Sequence, residues 1–237
     1  MTGGPVGAFA SAQDLAQWTA GLLQARGIDA IAEWRMLEYW MNVELYRAVQ
    51  AGAAGDWRHL GFYEQPYKTR FKIPGRKSST KWIDLLVGWP SPSLPEHVLW
   101  IELKDLGRNP KTLKANAVGL GKDLAALWGI EREPTLAQFR KQEALAVDRG
   151  RGEEWLSLAQ CLESAQWWFG QIVIARRDVC DDACVDVEDL WIAAFEKRLK
   201  DNKPTEAPPR PPRICRQSTS KFDVYVLVEK LQSAVTD

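Results

Sequence analysis

Two apolar runs, residues 81–88 (KWIDLLVG) and 97–104 (HVLWIELK), stand on either side of a link that holds Pro90, Pro92 and Pro95. They read as neighbouring strands, the first nearly continuous in apolar residues and so expected at the centre of a sheet. Just before them, Tyr67, Thr69, Phe71 and Ile73 alternate with Lys68, Arg70 and Lys72, the period of a strand with one wet face. Pro74 and Gly75 end that run. Three consecutive strands with short links predict a meander.

Helical patterns flank the meander. Ser11 and Asp14 have the spacing of a capping box, and Leu15, Trp18, Leu22 and Leu23 recur at helical intervals as far as Gly27. Asp29 is the expected cap of a second helix running to Gln50, with Gly52 as its stop. After the meander, Asn109-Pro110 opens a helix through Leu113, Ala117, Leu120, Leu124 and Leu127, ending near Gly129. Residues 130–169 read as two more helices with a break at Gly150 and Gly152, followed by a short strand at 171–175 (QIVIA). A helix at 187–199, a proline-rich arm at 203–213 and a strand at 222–228 complete the chain. The sum is an α/β fold, one mixed sheet covered by helices.

Acids interrupt both central runs. Glu102 and Lys104 are two apart and project from one face of their strand, while Ile101 and Leu103 project from the other. Asp84 lies in the preceding strand, and antiparallel pairing would bring it to Glu102. A buried acid is costly unless it is paired, hydrogen-bonded or bound to a cation. Two carboxylates on a rigid sheet suit magnesium or manganese, with water and phosphate completing the shell. Such a metal would polarise a phosphoryl group and acidify a bound water, and Lys104 could orient that water or stabilise the transition-state charge. A buried ion-pair cluster without catalysis is the competing reading.

Asp84, then Glu102-Leu103-Lys104, then a helix from Pro110, resembles the PD-(D/E)xK nuclease superfamily. In that family an acid on one strand precedes an E-x-K tripeptide on the next. The resemblance implies a restriction-endonuclease-like mixed β-sheet with an α-β-β-β-α-β core, matched in order by residues 29–176. Ile83 stands where the family has proline. It further implies a single nuclease-like domain over 1–237: an N-terminal helix at 11–27, a helical insertion at 130–169, and a C-terminal helix, arm and strand at 187–229. The activity implied is Mg²⁺- or Mn²⁺-dependent phosphodiester hydrolysis of nucleic acid, with DNA the expected substrate. Asp84 and Glu102 are then metal ligands and Lys104 the catalytic lysine. Many members add a helix acid to the metal shell. Glu44, between Trp40 and Ala48 on the apolar side of its helix, is favoured for that role, then Glu38; Glu33 is near enough to the helix start to act with its dipole. The alternatives are a non-catalytic nucleic-acid- or protein-binding module on the same fold, and a nuclease subunit of a defence or effector complex active only with a partner.

The chain carries 31 basic and 31 acidic residues and so has no net field to draw it to nucleic acid. Locally the balance differs. Residues 66–122 hold Lys68, Arg70, Lys72, Arg76, Lys77, Lys81, Lys104, Arg108, Lys111, Lys114 and Lys122 against Asp84, Glu96, Glu102 and Asp105. That excess is what attraction to a phosphate backbone needs, although a basic edge strand also guards against edge pairing. The loop 74–80 (PGRKSST) is the expected contact element and lacks the spacing of a nucleotide-binding loop. Cys180 and Cys184 are too loosely spaced for zinc and read as plain thiols. Trp167-Trp168-Phe169 reads as a packing cluster rather than a base-stacking platform. No basic-then-apolar leader and no stretch of spanning length is visible, so a cytoplasmic protein without a membrane partner is expected, with a protein partner or homodimer left open.

Overall fold

The computed structural model describes residues 9, 11–25, 37–60, 65–71, 80–89, 95–107, 109–147, 153–202 and 212–231. In chain order these form α1 (Ala12–Ala25), α2 (Leu37–Gln50), β1 (Arg58–His59), β2 (Gln65–Lys68), β3 (Thr80–Ile83), β4 (Leu85–Trp89) and β5 (His97–Asp105). Then come α3 (Pro110–Trp128), α4 (Arg132–Val147), α5 (Glu153–Ser164), β6 (Gln166–Arg176), α6 (Arg177–Ala183), α7 (Val187–Asn202), β7 (Ile214–Ser218) and β8 (Phe222–Lys230).

Six strands make one mixed sheet in the order β1-β4-β5-β6-β8-β7. β5 and β6 run parallel; every other pair in it is antiparallel. Alternation sends side chains into two cores. Leu85, Val87, Leu99, Ile101, Leu103, Ile172 and Ile174 join α1 and α2 on one face. Leu86, Val98, Trp100, Trp167, Phe169 and Val173 join the helices from α3 onward on the other. The result is a helix–sheet–helix sandwich, in which β5 and β6 are buried on both sides as their apolar sequences require.

The meander is present in chain order but does not lie in one sheet. β2 and β3 pair with each other in a separate two-stranded sheet. The run 81–88, expected as one strand, bends at Asp84: β3 before it belongs to the small sheet and β4 after it to the large one. The strand expected over 67–73 begins earlier, at Gln65, and is regular only to Lys68. Thr69 then bridges to Ile130, and residues 72–79 lie outside the described residues. The burial alternation of Tyr67, Thr69 and Phe71 against Lys68 and Arg70 is as the sequence predicts.

α3 matches its signals closely. Asn109 caps it through Lys111 N–H, Pro110 opens it and Gly129 closes it. The helical insertion is shorter than 130–169, because α5 stops at Ser164 and Trp167-Trp168-Phe169 belongs to β6, which is eleven residues long. Trp167 and Phe169 are core residues on one face, with Trp168 partly buried on the other. α6 and β7 have no counterpart in the sequence reading. The start of the helix expected from Asp29, the 150–152 break and most of the proline arm lie outside the described residues. No described helix is long and apolar enough to cross a membrane.

Candidate functional site

The site forms where the small sheet peels away from the large one. In the β4–β5 ladder Leu85 lies opposite Ile101 and Val87 opposite Leu99. Continued one step, that register would set Asp84 opposite Glu102, and one step further Ile83 opposite Leu103. The chain bends instead, so the Leu103 N–H loses its strand partner. Asp84 takes the place of the missing carbonyl: its Oδ2 accepts from Leu103 N at 2.7 Å. Two residues on, the Asp105 N–H meets Glu38 Oε2 at 3.3 Å. Two side-chain carboxylates thus extend the ladder on the edge that β4 vacates, satisfying donors that burial would otherwise strand.

Glu102 and Lys104 flank the Leu103 contact on the strand. Glu102 is only 9% exposed, on the face shared with Trp100 and α3. Lys104 Nζ bonds Glu38 Oε1 at 3.0 Å and lies 3.3 Å from Glu102 Oε1. Asp84 Oδ1 accepts from Asn42 Nδ2 at 2.9 Å. Asn42 stands one turn after Glu38, so α2 presents both polar side chains on one face. Asn42 Oδ1 is buried and has no donor among the described residues. An unpaired buried acceptor ordinarily costs ~1–3 kcal/mol.

A second ion pair closes the other side. Lys81 Nζ on β3 bonds Asp123 Oδ1 on α3 at 2.7 Å, with both side chains mostly buried. Tyr67 lies opposite Lys81 in the small sheet. Burial first, then the charges of Glu102, Asp123 and Asp84, push its phenol well above the usual value.

The electrostatics follow from crowding acids out of water. Burial raises the Asp84 carboxyl, against the lowering effects of the Leu103 N–H, Lys104 and Asn42. Glu102 is raised well above the ordinary glutamate value by burial and then by Asp84. Burial opposes the charge on Lys104, but Glu102 and Glu38 outweigh it and hold the ammonium above its ordinary value. Lys104 is therefore a fixed positive charge rather than a proton acceptor.

Of the residues singled out by sequence, Asp84, Glu102 and Lys104 come together. The helix acid that meets them is Glu38; Glu44 is buried further along α2 and pairs with Arg47 at 3.2 Å. Of the basic residues, Lys81 is held by Asp123 and Lys68 Nζ donates to Thr80 Oγ1. Arg70 is exposed with its guanidinium over the Phe71 ring, and Lys111, Lys114 and Lys122 are exposed on α3. Lys72, Arg76, Lys77 and Arg108 lie outside the described residues. Asn42, Asp123 and Tyr67 are the additions. Spacing could have exposed Asn42, four residues after Glu38, and Asp123 is the polar residue beside Leu120 and Leu124 on a buried helix face.

The donor set is all oxygen, the preference of a hard divalent cation. Asp84 keeps a lone pair on each oxygen beyond its two hydrogen bonds, and among the described residues Glu102 has only Lys104 as a contact of opposite charge within bonding range. Two carboxylates disfavoured as anions by burial, Glu102 further by Asp84 and Asp84 by Glu38, are a fitting place for such a cation. Among the described residues, no group of three or more His, Cys, Asp and Glu side chains is arranged to hold a metal. Water and substrate oxygens would have to complete the shell, which is how Mg²⁺ ordinarily binds. No protein-family model, no curated protein and no solved structure matches the chain.

Proposed function

We propose that this protein is a Mg²⁺- or Mn²⁺-dependent nuclease that hydrolyses phosphodiester bonds, with DNA as its substrate, on a restriction-endonuclease-like sheet. One observation carries the reading: Asp84 and Glu102 crowd together at the point where β3 leaves the large sheet, with a permanently charged Lys104 bonded beside them. The order helix, meander, helix, strand in α2, β2 to β5, α3 and β6 supports the same family resemblance.

Asp84 and Glu102 would hold the cation. When bound, it would supply Lewis-acid polarisation of the phosphoryl group and a more acidic water. The rest of the work belongs to the chain. Asn42 and the Leu103 N–H fix the rotation of the Asp84 carboxylate. Glu38 tethers Lys104 so that its ammonium stays beside Glu102. A protonated lysine there stabilises negative charge building on the non-bridging phosphate oxygens, the electrostatic role that costs no reorganisation during reaction. Glu102 and Lys104 sit on β5, Glu38 and Asn42 on α2, and Asp84 at the bend between two paired strands, so regular elements hold the group in place.

The direct test is incubation of the full chain with supercoiled, linear and single-stranded DNA in Mg²⁺ or Mn²⁺. Cleavage should vanish with a chelator and fall about 10²-fold or more in Lys104→Ala and Asp84→Asn, the usual loss when one transition-state charge contact is removed. Cleavage at the unmodified rate in either variant would sink the assignment.

A further inference from the structure

Asn42 has one polar end accounted for and one that is not. Its Nδ2 donates to Asp84 Oδ1 at 2.9 Å, while the Leu103 N–H holds Asp84 Oδ2 at 2.7 Å. A donor on each oxygen locks the carboxylate against rotation. At the other end, Asn42 Oδ1 is closed off from bulk solvent and meets no donor among the described residues. Turning the amide round would not relieve it, because Oδ1 would then face the Asp84 carboxylate, acceptor against acceptor. The carboxylate itself therefore fixes which end points elsewhere.

The neighbouring cations do not serve this oxygen. The Lys104 ammonium is bonded to Glu38 and lies beside Glu102, and that of Lys81 is bonded to Asp123. Asn42 thus holds a neutral oxygen beside Asp84 whose acceptor capacity no described residue uses. The large majority of buried acceptors in folded proteins are satisfied by protein, water or a bound ion. A site that already gathers Asp84 and Glu102 points to the last two.

We infer that Asn42 is a positioning residue of the cation site, with Oδ1 turned to the cation's coordination shell, directly or through one of its waters, while Nδ2 braces Asp84. This rests on Asp84 and Glu102 being cation ligands, and not on the cation being used for cleavage. Outer-shell partners orient ligands and tune affinity, and their loss ordinarily weakens metal binding about 10–100-fold.

The test uses the full chain and Mn²⁺ alone, with no nucleic acid, reading affinity by titration calorimetry and free Mn²⁺ by electron paramagnetic resonance. Asn42→Ala removes both ends of the amide, and the near-isosteric Asn42→Leu does the same without opening a cavity. Asn42→Asp removes the donor but keeps an oxygen facing the shell and adds charge. Thermal melts in chelator identify any variant that has lost its fold, so that at least one of Ala and Leu can be read. Affinity should drop about 10–100-fold in Ala or Leu and be at least as tight as the natural protein in Asp. If Asn42 were only a brace for Asp84, Asp would lose as much affinity as Ala, and that result overturns the inference. Unchanged affinity in all three variants overturns it too. Undiminished Mn²⁺ binding in Glu102→Gln would remove the cation site and this role together. The expected pattern without cleavage of any DNA would leave the inference standing and remove the nuclease reading.

Discussion

Glu102 and Asp84 are acids that folding makes harder to ionise, and the consequence is a stability that depends on pH in a definite direction. Burial raises both, and Asp84 adds to the rise of Glu102. Unfolded carboxyls titrate near pH 4. From there up to the raised values, the unfolded chain has released protons that the folded chain still holds. The contribution of these two groups to stability is therefore fully present below about pH 4 and is lost as pH rises through the raised values. Glu102→Gln removes its share of this loss while keeping the side chain's size. In chelator at neutral pH the variant should melt several degrees higher than the natural protein. About 1 kcal/mol corresponds to about 2–4 °C in a domain of this size. Melts scanned from about pH 4 to 8 should also show a flatter profile. A variant that melts lower across the whole range would mean that Lys104 needs Glu102 more than the site suffers from it. Divalent cation should reverse the order, stabilising the natural protein and not the variant.

At the scale of elements, what the sequence made legible followed from local rules. Asn109-Pro110 and Gly129 bound α3 because cap, first-turn proline and stop each act on the nearest backbone groups. The Glu102-Leu103-Lys104 strand was legible because alternation needs only its own residues. The bend at Asp84 was not, since 81–88 carries no Gly or Pro at that point and the break is imposed by β2 claiming β3. Nor was β7: the burial of Ile214 followed by half-exposed and exposed residues marks an edge strand, ordered by its ladder to β8. Asn42 and Asp123 escaped for the same kind of reason. Each is an ordinary helix residue until a partner distant in sequence defines it. Gly121 is a further case, reading as a flaw in a helix until α7 is seen against it. A Cβ there would lie 2.4 Å from the Ala194 carbonyl carbon and 2.5 Å from Phe195 N, which are backbone and cannot swing aside. Gly121→Ala should therefore destabilise, despite alanine's better helix propensity, by ~1–3 kcal/mol as α3 and α7 are forced apart. Gly119→Ala on the same helix meets nothing within 4 Å and should be neutral or stabilising. Denaturant melts of the two variants compare them directly, and equal effects would show that the α3–α7 approach is not the constraint.

Across the whole molecule, charge balance turns a broad basic stretch into a narrower surface. The sequence excess over 66–122 counts Lys81 and Lys104 as free positive charge, but Asp123 neutralises the first, and Glu38 and Glu102 the second. What stays exposed among the described residues is Arg70 beside the small sheet and Lys111, Lys114 and Lys122 along α3. If the protein binds nucleic acid as proposed, these are the described residues of that stretch free to meet phosphate, and each phosphate they neutralise would release counterions. Binding of duplex DNA in the presence of Ca²⁺ or without metal should weaken steeply with salt. Lys114→Ala and Lys122→Ala should each lower affinity uniformly across sequences and flatten the slope of log K against log salt by about one. Lys81→Ala should leave that slope unchanged, because its charge is already committed to Asp123 inside the fold. A Lys81 variant that flattens the slope as much as the α3 variants would mean that the ion pair opens to receive the nucleic acid. Slopes unaltered by any of the three would place the binding surface away from α3 altogether.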